Sequence, residues 1–279
     1  MVPEKLIIFD FSGTLSLEST TFSRPDTLMK HLSQSGLADL GFNTPEIFWE
    51  QIVNPTWTEG STTGVGYKQI METRIRNILV QNMAIISCVM ISDAVSSFVD
   101  RYLRHSRIDR RWQPILQQVS RTPGVCVIIA TDHYAEATGY IIAFLKELQI
   151  HALPARELFA DPDASAFTVA TSADLGVHKD NPRFWEILKS GLHLGAIRRI
   201  LLIDDFGYNE QRGNAYGSTE KVEARTHNTV KLLQEVFSTK VHVIPFMIED
   251  NKKEAAFGNL VKHTSAIIEQ YLSPTVNEK

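Results

Sequence analysis

The sequence predicts an α/β protein with a doubly wound parallel sheet, in which helices cover both faces. Unbroken apolar runs at 6–9, 125–130 and 200–203 are typical of strands that are buried on both faces of a parallel sheet. Stretches in which apolar residues recur at helical spacing separate these runs. Strands that alternate with helices along a chain indicate a doubly wound sheet.

Length and composition narrow the class of protein. The chain has 279 residues, of which 43% are hydrophobic, so it can form one large domain or a core domain with a smaller one. A net charge of -4 does not indicate a nucleic-acid partner. Cys88 and Cys126 show neither a disulfide framework nor zinc-ligand spacing. No apolar run is long enough to span a bilayer and no signal-like segment is seen, so we expect a cytoplasmic protein without a membrane partner.

The first predicted strand, at 6–9, ends at Asp10. An unpaired carboxylate is costly inside a sheet, so Asp10 should lie at the carboxyl end of this strand. Gly13 permits a tight backbone turn directly after it. Because open α/β sheets form their ligand crevices at the carboxyl ends of the strands, the residues that follow this strand are candidates for a functional site.

Residues 16–120 are predicted to form an all-helical domain inserted after the first strand, whereas 1–15 and 121–279 form the α/β core. Strand-like patterns are almost absent from the inserted segment. A proline that follows a capping residue, as at Thr44–Pro45, is typical of a helix start. The positions with helical spacing are Met29, Leu32, Leu37 and Leu40; Met71, Ile75, Ile78, Leu79, Met83 and Ile86; and Val95, Phe98, Val99, Tyr102 and Leu103.

The alternation of strands and helices continues to the end of the chain. We expect helices after residue 133, over about 219–237 and near the C-terminus, and a last strand at 241–244. Between 150 and 180 the pattern is weaker, with short strands expected near 153–155 and 167–170 and a loop at Pro162 between them. The tail after Pro274 is expected to be disordered.

Four stretches stand out: three apolar runs that end in polar residues, and one segment in which a lysine precedes Pro-x-Phe-Trp. They read L-I-I-F-D-F-S-G-T-L at 6–15, V-I-I-A-T at 127–131, K-D-N-P-R-F-W at 179–185, and I-L-L-I-D-D at 200–205, with Asn209 and Gly217 after the last one. In this order they resemble the four motifs of the haloacid dehalogenase-like superfamily. The resemblance covers 5–15 and 125–217, and it implies a Rossmann-like core in which the helical insert is a cap over the site.

The resemblance also implies roles for the acidic residues. Asp10 matches the nucleophile of the superfamily. Mg²⁺ would be bound by the Asp10 carboxylate, the backbone carbonyl of Ser12, and Asp204 and Asp205. Paired carboxylates at a strand end are costly without a cation, and Mg²⁺ prefers hard oxygen ligands. Which of Asp204 and Asp205 contacts the metal directly is left open.

Further residues are implied to bind the transferred group. Thr131 would contact a phosphoryl oxygen, and Lys179 would neutralise charge on the nucleophile and on that group. We also predict that Gly13, Thr14 and Asp132 line the substrate site, although the charge of Asp132 would repel a phosphoryl group unless it faces away or binds a partner.

Lys68 is a further predicted substrate contact. It ends the stretch 62–68, which is either a cap loop that faces the site or a flexible connector. In the stretch 179–185, Asp180 departs from the motif of the superfamily, which has a proline at this position.

Ser12 is the more important departure. The phosphatases of this superfamily carry a second Asp here as general acid and base, and a serine hydroxyl is poorly matched to that role near neutral pH. His133 could supply the missing function, or it could be a solvent-exposed residue at a helix start.

We therefore expect a magnesium-dependent phosphohydrolase that acts on a small phosphorylated metabolite through an aspartyl-phosphate on Asp10. The alternatives are a phosphonate or carbon–halogen hydrolase without an acidic partner, or a catalytically weak phosphate-binding or regulatory protein. For phosphonate cleavage, Lys30 or Lys68 would form the Schiff base that the resemblance implies. The oligomeric state is left open.

Overall fold

A parallel sheet forms the centre of the protein. The computed structural model describes residues 2–81, 87–161, 166–209, 219–248 and 253–273. In these residues, six strands form one all-parallel sheet in the order β3-β4-β2-β1-β5-β6. The strands are β1 (Lys5–Phe9), β2 (Val125–Thr131), β3 (Ala152–Pro154), β4 (Phe167–Thr171), β5 (Arg199–Asp204) and β6 (Val241–Pro245). The predicted α/β class and parallel sheet are confirmed.

The central strand β1 shows why the sheet is buried on both sides. Phe9 is in register with Ile129 of β2 and with Ile203 of β5. Side chains alternate along a strand, and Ile7 and Phe9 pack into one core while Leu6 and Ile8 pack into a second. An apolar run without alternation is therefore what this strand requires.

Helices cover both faces of the sheet. The first core includes residues of the helical segment that follows β1, and the second lies beneath helices between residues 155 and 237. The helices are α1 (Glu18–Phe22), α2 (Pro25–Ser35), α3 (Pro45–Phe48), α4 (Asn54–Thr62), α5 (Tyr67–Gln81), α6 (Cys88–His105), α7 (Gln113–Ser120), α8 (Glu136–Glu147), α9 (Ala155–Ala160), α10 (Ser172–Leu175), α11 (Pro182–Gly191), α12 (Thr219–Phe237) and α13 (Lys253–Leu272). A π-helical turn (Trp49–Val53) joins α3 to α4, and short 3₁₀ turns occupy Arg110–Trp112 and Leu194–Ala196.

Among the described residues, the segment from 17 to 120 consists of helices joined by turns and loops and contains no strand. Thr44 caps α3, since its side chain accepts the N–H of Ile47, and Ser87 caps α6 in the same way through the N–H of Val89. The predicted helices at α2, α3, α5 and α6 are confirmed, although α2 ends at Ser35, before Leu37 and Leu40, and Met83 and Ile86 lie outside the described residues.

Several elements differ from the sequence prediction at their ends or were not predicted. Helices α1, α4 and α7 arise in stretches that read as polar or that contain proline; in α4 and α7 the proline lies in the first turn of the helix, where it is sterically allowed. Consequently α4 extends to Thr62 and α5 begins at Tyr67, which leaves only 63–66 as a connector. The short strands β3 and β4 are confirmed; Pro162 and the tail from Pro274 onward lie outside the described residues.

Among the described residues, no helix combines the length and the apolar character that a membrane span requires.

Candidate active site

Three aspartates meet at the carboxyl edge of the sheet. Asp10 follows β1, Asp204 ends the neighbouring strand β5, and Asp205 comes directly after it. All three are buried, and one carboxylate oxygen from each lies within 4.8 Å of the others. From β1 the sheet continues to β2 on one side and to β5 on the other, and ligands of open α/β sheets bind where the strand order reverses in this way. The cluster can hold a metal ion, because carboxylates are the hard oxygen ligands that cations such as Mg²⁺ prefer.

Lys179 brings a positive charge into this cluster. Its Nζ lies 2.5 Å from Asp10 Oδ1 and 3.3 Å from Asp204 Oδ2. One ammonium cannot neutralise three carboxylates, so the ionised site retains excess negative charge. A divalent cation would compensate that excess.

The protonation of the site reflects this crowding. Burial, together with the charge of Asp204, raises the pKa of Asp10 to about 8, and the Lys179 ammonium opposes the shift. Burial lowers the pKa of Lys179, but the carboxylates of Asp10, Asp204 and Asp132 outweigh it and hold that pKa well above its usual value. In the pair of Asp10 and Lys179, the lysine is therefore the residue whose charged form is stabilised.

Asp205 is held by backbone donors. Its carboxylate accepts the N–H groups of Gly207 at 3.1 Å and Asn209 at 2.8 Å, and its own N–H donates to Thr14 Oγ1 at 3.1 Å. Gly13 packs directly against it: a Cβ at this position would lie 2.4 Å from Asp205 Oδ2, and the backbone has φ +77°. Only glycine fits there without displacing Asp205.

Asn209 ties three segments of the site edge together. Its Nδ2 donates to the carbonyls of Gly13 and Phe246, both at 2.7 Å, and its Oδ1 accepts the N–H of Ile248 at 2.8 Å. The turn after β1 is thus fixed to the loop after β5 and to the chain beyond β6. Gly217, the other residue of this motif, lies outside the described residues.

The remaining residues of the predicted site lie at or near the same edge. Thr131 ends β2, the other neighbour of β1, and is buried. Asp132, the next residue, accepts the backbone N–H of Lys179 on Oδ1 at 2.9 Å. Thr14 is fully buried, whereas Ser12 is partly exposed. Ser12 lies in the turn after β1, in which the N–H of Gly13 donates to the carbonyl of Ser16.

Two lysines of the helical segment lie in different surroundings. Lys68 Nζ forms an ion pair with Asp100 at 2.7 Å, and its backbone N–H, like that of Tyr67, donates to the Glu136 carboxylate. Lys30 lies exposed on α2. The carboxylate of Glu136, at the start of α8, thus anchors the start of α5 to the core.

His133 is buried, so the expectation of a solvent-exposed helix start is wrong. Its Nδ1 accepts the N–H of Tyr134 at 2.9 Å, and its Nε2 hydrogen-bonds the Tyr102 hydroxyl at 3.1 Å. Because Nδ1 is an acceptor, the neutral ring carries its proton on Nε2. Burial lowers the pKa of His133 to about 4, which keeps the ring neutral near pH 7.

Some contacts at the site had no signal in the sequence spacing. His178, next to Lys179, hydrogen-bonds Ser61 Oγ at 2.6 Å and lies parallel to the Trp57 ring. Tyr134 stacks on Tyr67 at a ring distance of 3.7 Å. Such contacts join α4 and α5 to the core, and only the folded chain brings these partners together.

Comparison with family models and with curated protein sequences found no match to this chain. The structure itself shows a parallel α/β sheet with a buried aspartate cluster at its carboxyl edge, and this cluster could hold a metal ion.

Proposed function

We propose that the chain is a magnesium-dependent hydrolase of the haloacid dehalogenase-like superfamily. It would be a phosphohydrolase that acts on a small phosphorylated metabolite through an aspartyl-phosphate on Asp10. The proposal is carried by one observation: Asp10, Asp204 and Asp205 share one buried cluster, and Lys179 contacts two of them.

The donor set fits magnesium. Asp10, Asp204, Asp205 and the backbone carbonyl of Ser12 would hold the ion, since Mg²⁺ takes oxygen ligands and few of them need to come from protein. When bound, the ion would neutralise charge on these carboxylates and on the phosphoryl oxygens.

The chemistry that these residues support is a covalent displacement. An oxygen of the Asp10 carboxylate attacks phosphorus, the bond from phosphorus to the leaving oxygen breaks, and that oxygen takes up a proton. Water then attacks the aspartyl-phosphate, loses a proton, and releases phosphate and the Asp10 carboxylate. The Lys179 ammonium, 2.5 Å from Asp10 in the free protein, would offset the charge of the transferred group, and Thr131 would donate to one of its oxygens.

One observation favours a second candidate, a phosphate-binding protein with weak turnover. Asp10, Asp204 and Asp205 belong to the cluster, Asp132 accepts the N–H of Lys179, and residue 12 is a serine. No carboxylate near the nucleophile is therefore assigned to proton transfer among the described residues. Carbon–halogen cleavage also fits Ser12, because a halide leaves without a proton. Phosphonate cleavage through Lys68 gains less support, because this lysine is paired with Asp100. Lys30, the other candidate for the imine, lies exposed on α2.

The test is magnesium-dependent hydrolysis of p-nitrophenyl phosphate by the wild type and by Asp10→Asn. We expect turnover that EDTA abolishes and that Asp10→Asn lowers by at least about 1,000-fold, because the nucleophile is lost. Equal turnover by the two proteins would contradict the assignment of Asp10.

Replacing Ser12 separates the two candidates. A positioned general acid and base contributes about 100- to 10,000-fold, so Ser12→Asp should raise turnover at least about tenfold if proton transfer limits the reaction. Ser12→Ala, which keeps the backbone carbonyl, is the matched control and should change little. Binding of Mg²⁺ and inorganic phosphate without turnover in any of these proteins would favour the binding protein.

A further inference from the structure

The position of Lys179 depends on its backbone. It lies in the loop between α10 and α11, not on a strand of the sheet. Its side chain is a flexible stem of four carbon atoms, so contact of Nζ with both Asp10 and Asp204 restricts its rotamers. A backbone that is fixed within reach of both carboxylates limits the further conformational freedom that this contact costs.

Two side chains hold the backbone N–H and carbonyl of Lys179. Asp132 Oδ1 accepts its N–H at 2.9 Å, and Trp185 Nε1 donates to its carbonyl at 2.9 Å. Trp185 is almost fully buried in the second core, so it is a fixed support. Asp132 follows the last residue of β2, and it connects the loop to the strand that pairs with β1.

The carboxylate of Asp132 also interacts electrostatically with the Lys179 ammonium. After Asp10 and Asp204, the Asp132 carboxylate is the next group that raises the pKa of Lys179. Burial raises the pKa of Asp132 itself, and the Lys179 ammonium opposes this shift. A carboxylate that accepts an N–H and lies near an ammonium is stabilised by both, whereas beside a phosphoryl group it would be repelled.

We propose that Asp132 is a positioning residue, which fixes the backbone of Lys179 so that Nζ reaches both Asp10 and Asp204. This inference rests on the proposed function, in which Lys179 offsets the charge of the transferred group. It differs from the substrate contact that the sequence predicted for Asp132. The required feature is an acceptor oxygen at this place, and the negative charge is secondary.

Three variants separate the hydrogen bond from the charge. Asp132→Asn keeps an acceptor oxygen and removes the charge, whereas Asp132→Ala removes both. Asp180→Ala is the matched control, because Asp180 is the exposed neighbour of Lys179 and makes no side-chain hydrogen bond among the described residues. Two readouts are measured: magnesium-dependent hydrolysis of p-nitrophenyl phosphate, and the rate at which acetic anhydride acetylates Lys179, followed by peptide mass spectrometry with exposed Lys240 as the reference.

Positioning predicts a specific pattern. Asp132→Ala should lower kcat by roughly 10- to 100-fold with little change in KM, as is usual when the partner of a catalytic group is removed. It should also raise the acetylation rate of Lys179, because the lysine leaves its ion pairs. Asp132→Asn should stay within about threefold of the wild type in both readouts if the acceptor oxygen is what matters, and Asp180→Ala should match the wild type.

Unchanged acetylation of Lys179 in Asp132→Ala would overturn the proposal, whatever the turnover. Equal losses of kcat in Asp132→Asn and Asp132→Ala would also overturn it, because the charge and not the acceptor would then matter. If the wild type shows no turnover but only Asp132→Ala exposes Lys179 to acetylation, the positioning role stands and the proposed function fails.

Discussion

The imidazole of His133, two residues after Thr131, is buried and neutral. His133 is 3% exposed and accepts a backbone N–H on Nδ1, so protonation would remove an acceptor and bury a charge. Its pKa is lowered from 6.5 to about 4 by burial. The unfolded chain therefore binds a proton more tightly than the folded chain between these two values.

This difference predicts a loss of stability in acid. The contribution of neutral His133 is fully present above pH 6.5 and is lost as the pH falls towards 4. At pH 5 the loss amounts to roughly 2 kcal/mol of the free energy of unfolding. Urea unfolding at pH 7 and pH 5 should show that His133→Gln loses less stability between the two than the wild type does. His151→Gln, at an exposed histidine, serves as the control, and an equal pH dependence in all three proteins would contradict the assignment.

The residues that could be predicted from the sequence are those whose roles depend on local position. Asp10 and Asp204 come at the ends of apolar runs, and parallel strands end at one edge, so their convergence follows from the strand pattern. The surroundings of His133 and Lys68 could not be predicted in this way. Their partners, Tyr102 and Asp100, come from α6, and no spacing in the sequence shows that α6 packs beside them.

At the scale of the elements, the site edge depends on Asn209. This side chain joins the turn after β1, the loop after β5 and the chain after β6 through the carbonyls of Gly13 and Phe246 and the N–H of Ile248. Parallel strands have no direct turn between them, so cross-links of this kind keep their ends in register.

Removal of this side chain should weaken the fold at the site. Asn209→Ala leaves two carbonyls and one N–H without their partners, and we expect it to lower the free energy of unfolding by about 2 kcal/mol. Urea unfolding in metal-free buffer is the measurement. Asn181→Ala is the control, because it removes one exposed capping bond at α11 and should cost about 1 kcal/mol or less. A smaller loss in Asn209→Ala than in the control would show that the cross-link does not stabilise the edge.

The elements themselves could be predicted to different degrees. Strands buried on both faces and helices with a regular apolar stripe, such as β1 and α6, carry a strong local pattern. Helix α4 carries little, because Asn54–Pro55 reads as a turn and its apolar residues do not form a stripe. Contacts such as that between Ser61 and His178 stabilise this helix only in the folded chain.

For the whole molecule, the sheet determines where chemistry can occur. Both faces are covered by apolar cores, so the carboxyl edge is where polar side chains from distant segments can meet. Asp10, Lys179, Asp204 and Asp205 meet there, and Asp132 joins them through the backbone of Lys179. The inserted helices contact the core beside this edge, through Glu136 and His178.

The proposed function makes one claim about these distant segments: they form a single site for a divalent cation and for an anionic group on Asp10. A crystal structure of the protein with Mg²⁺ and beryllofluoride, which mimics an aspartyl-phosphate, tests whether they do. We predict Mg²⁺ between the carboxylates of Asp10, Asp204 and Asp205, and beryllofluoride on an Asp10 oxygen within reach of Lys179 Nζ. Beryllofluoride bound away from Asp10, or a three-aspartate cluster that binds no Mg²⁺ at millimolar concentration, would contradict the claim.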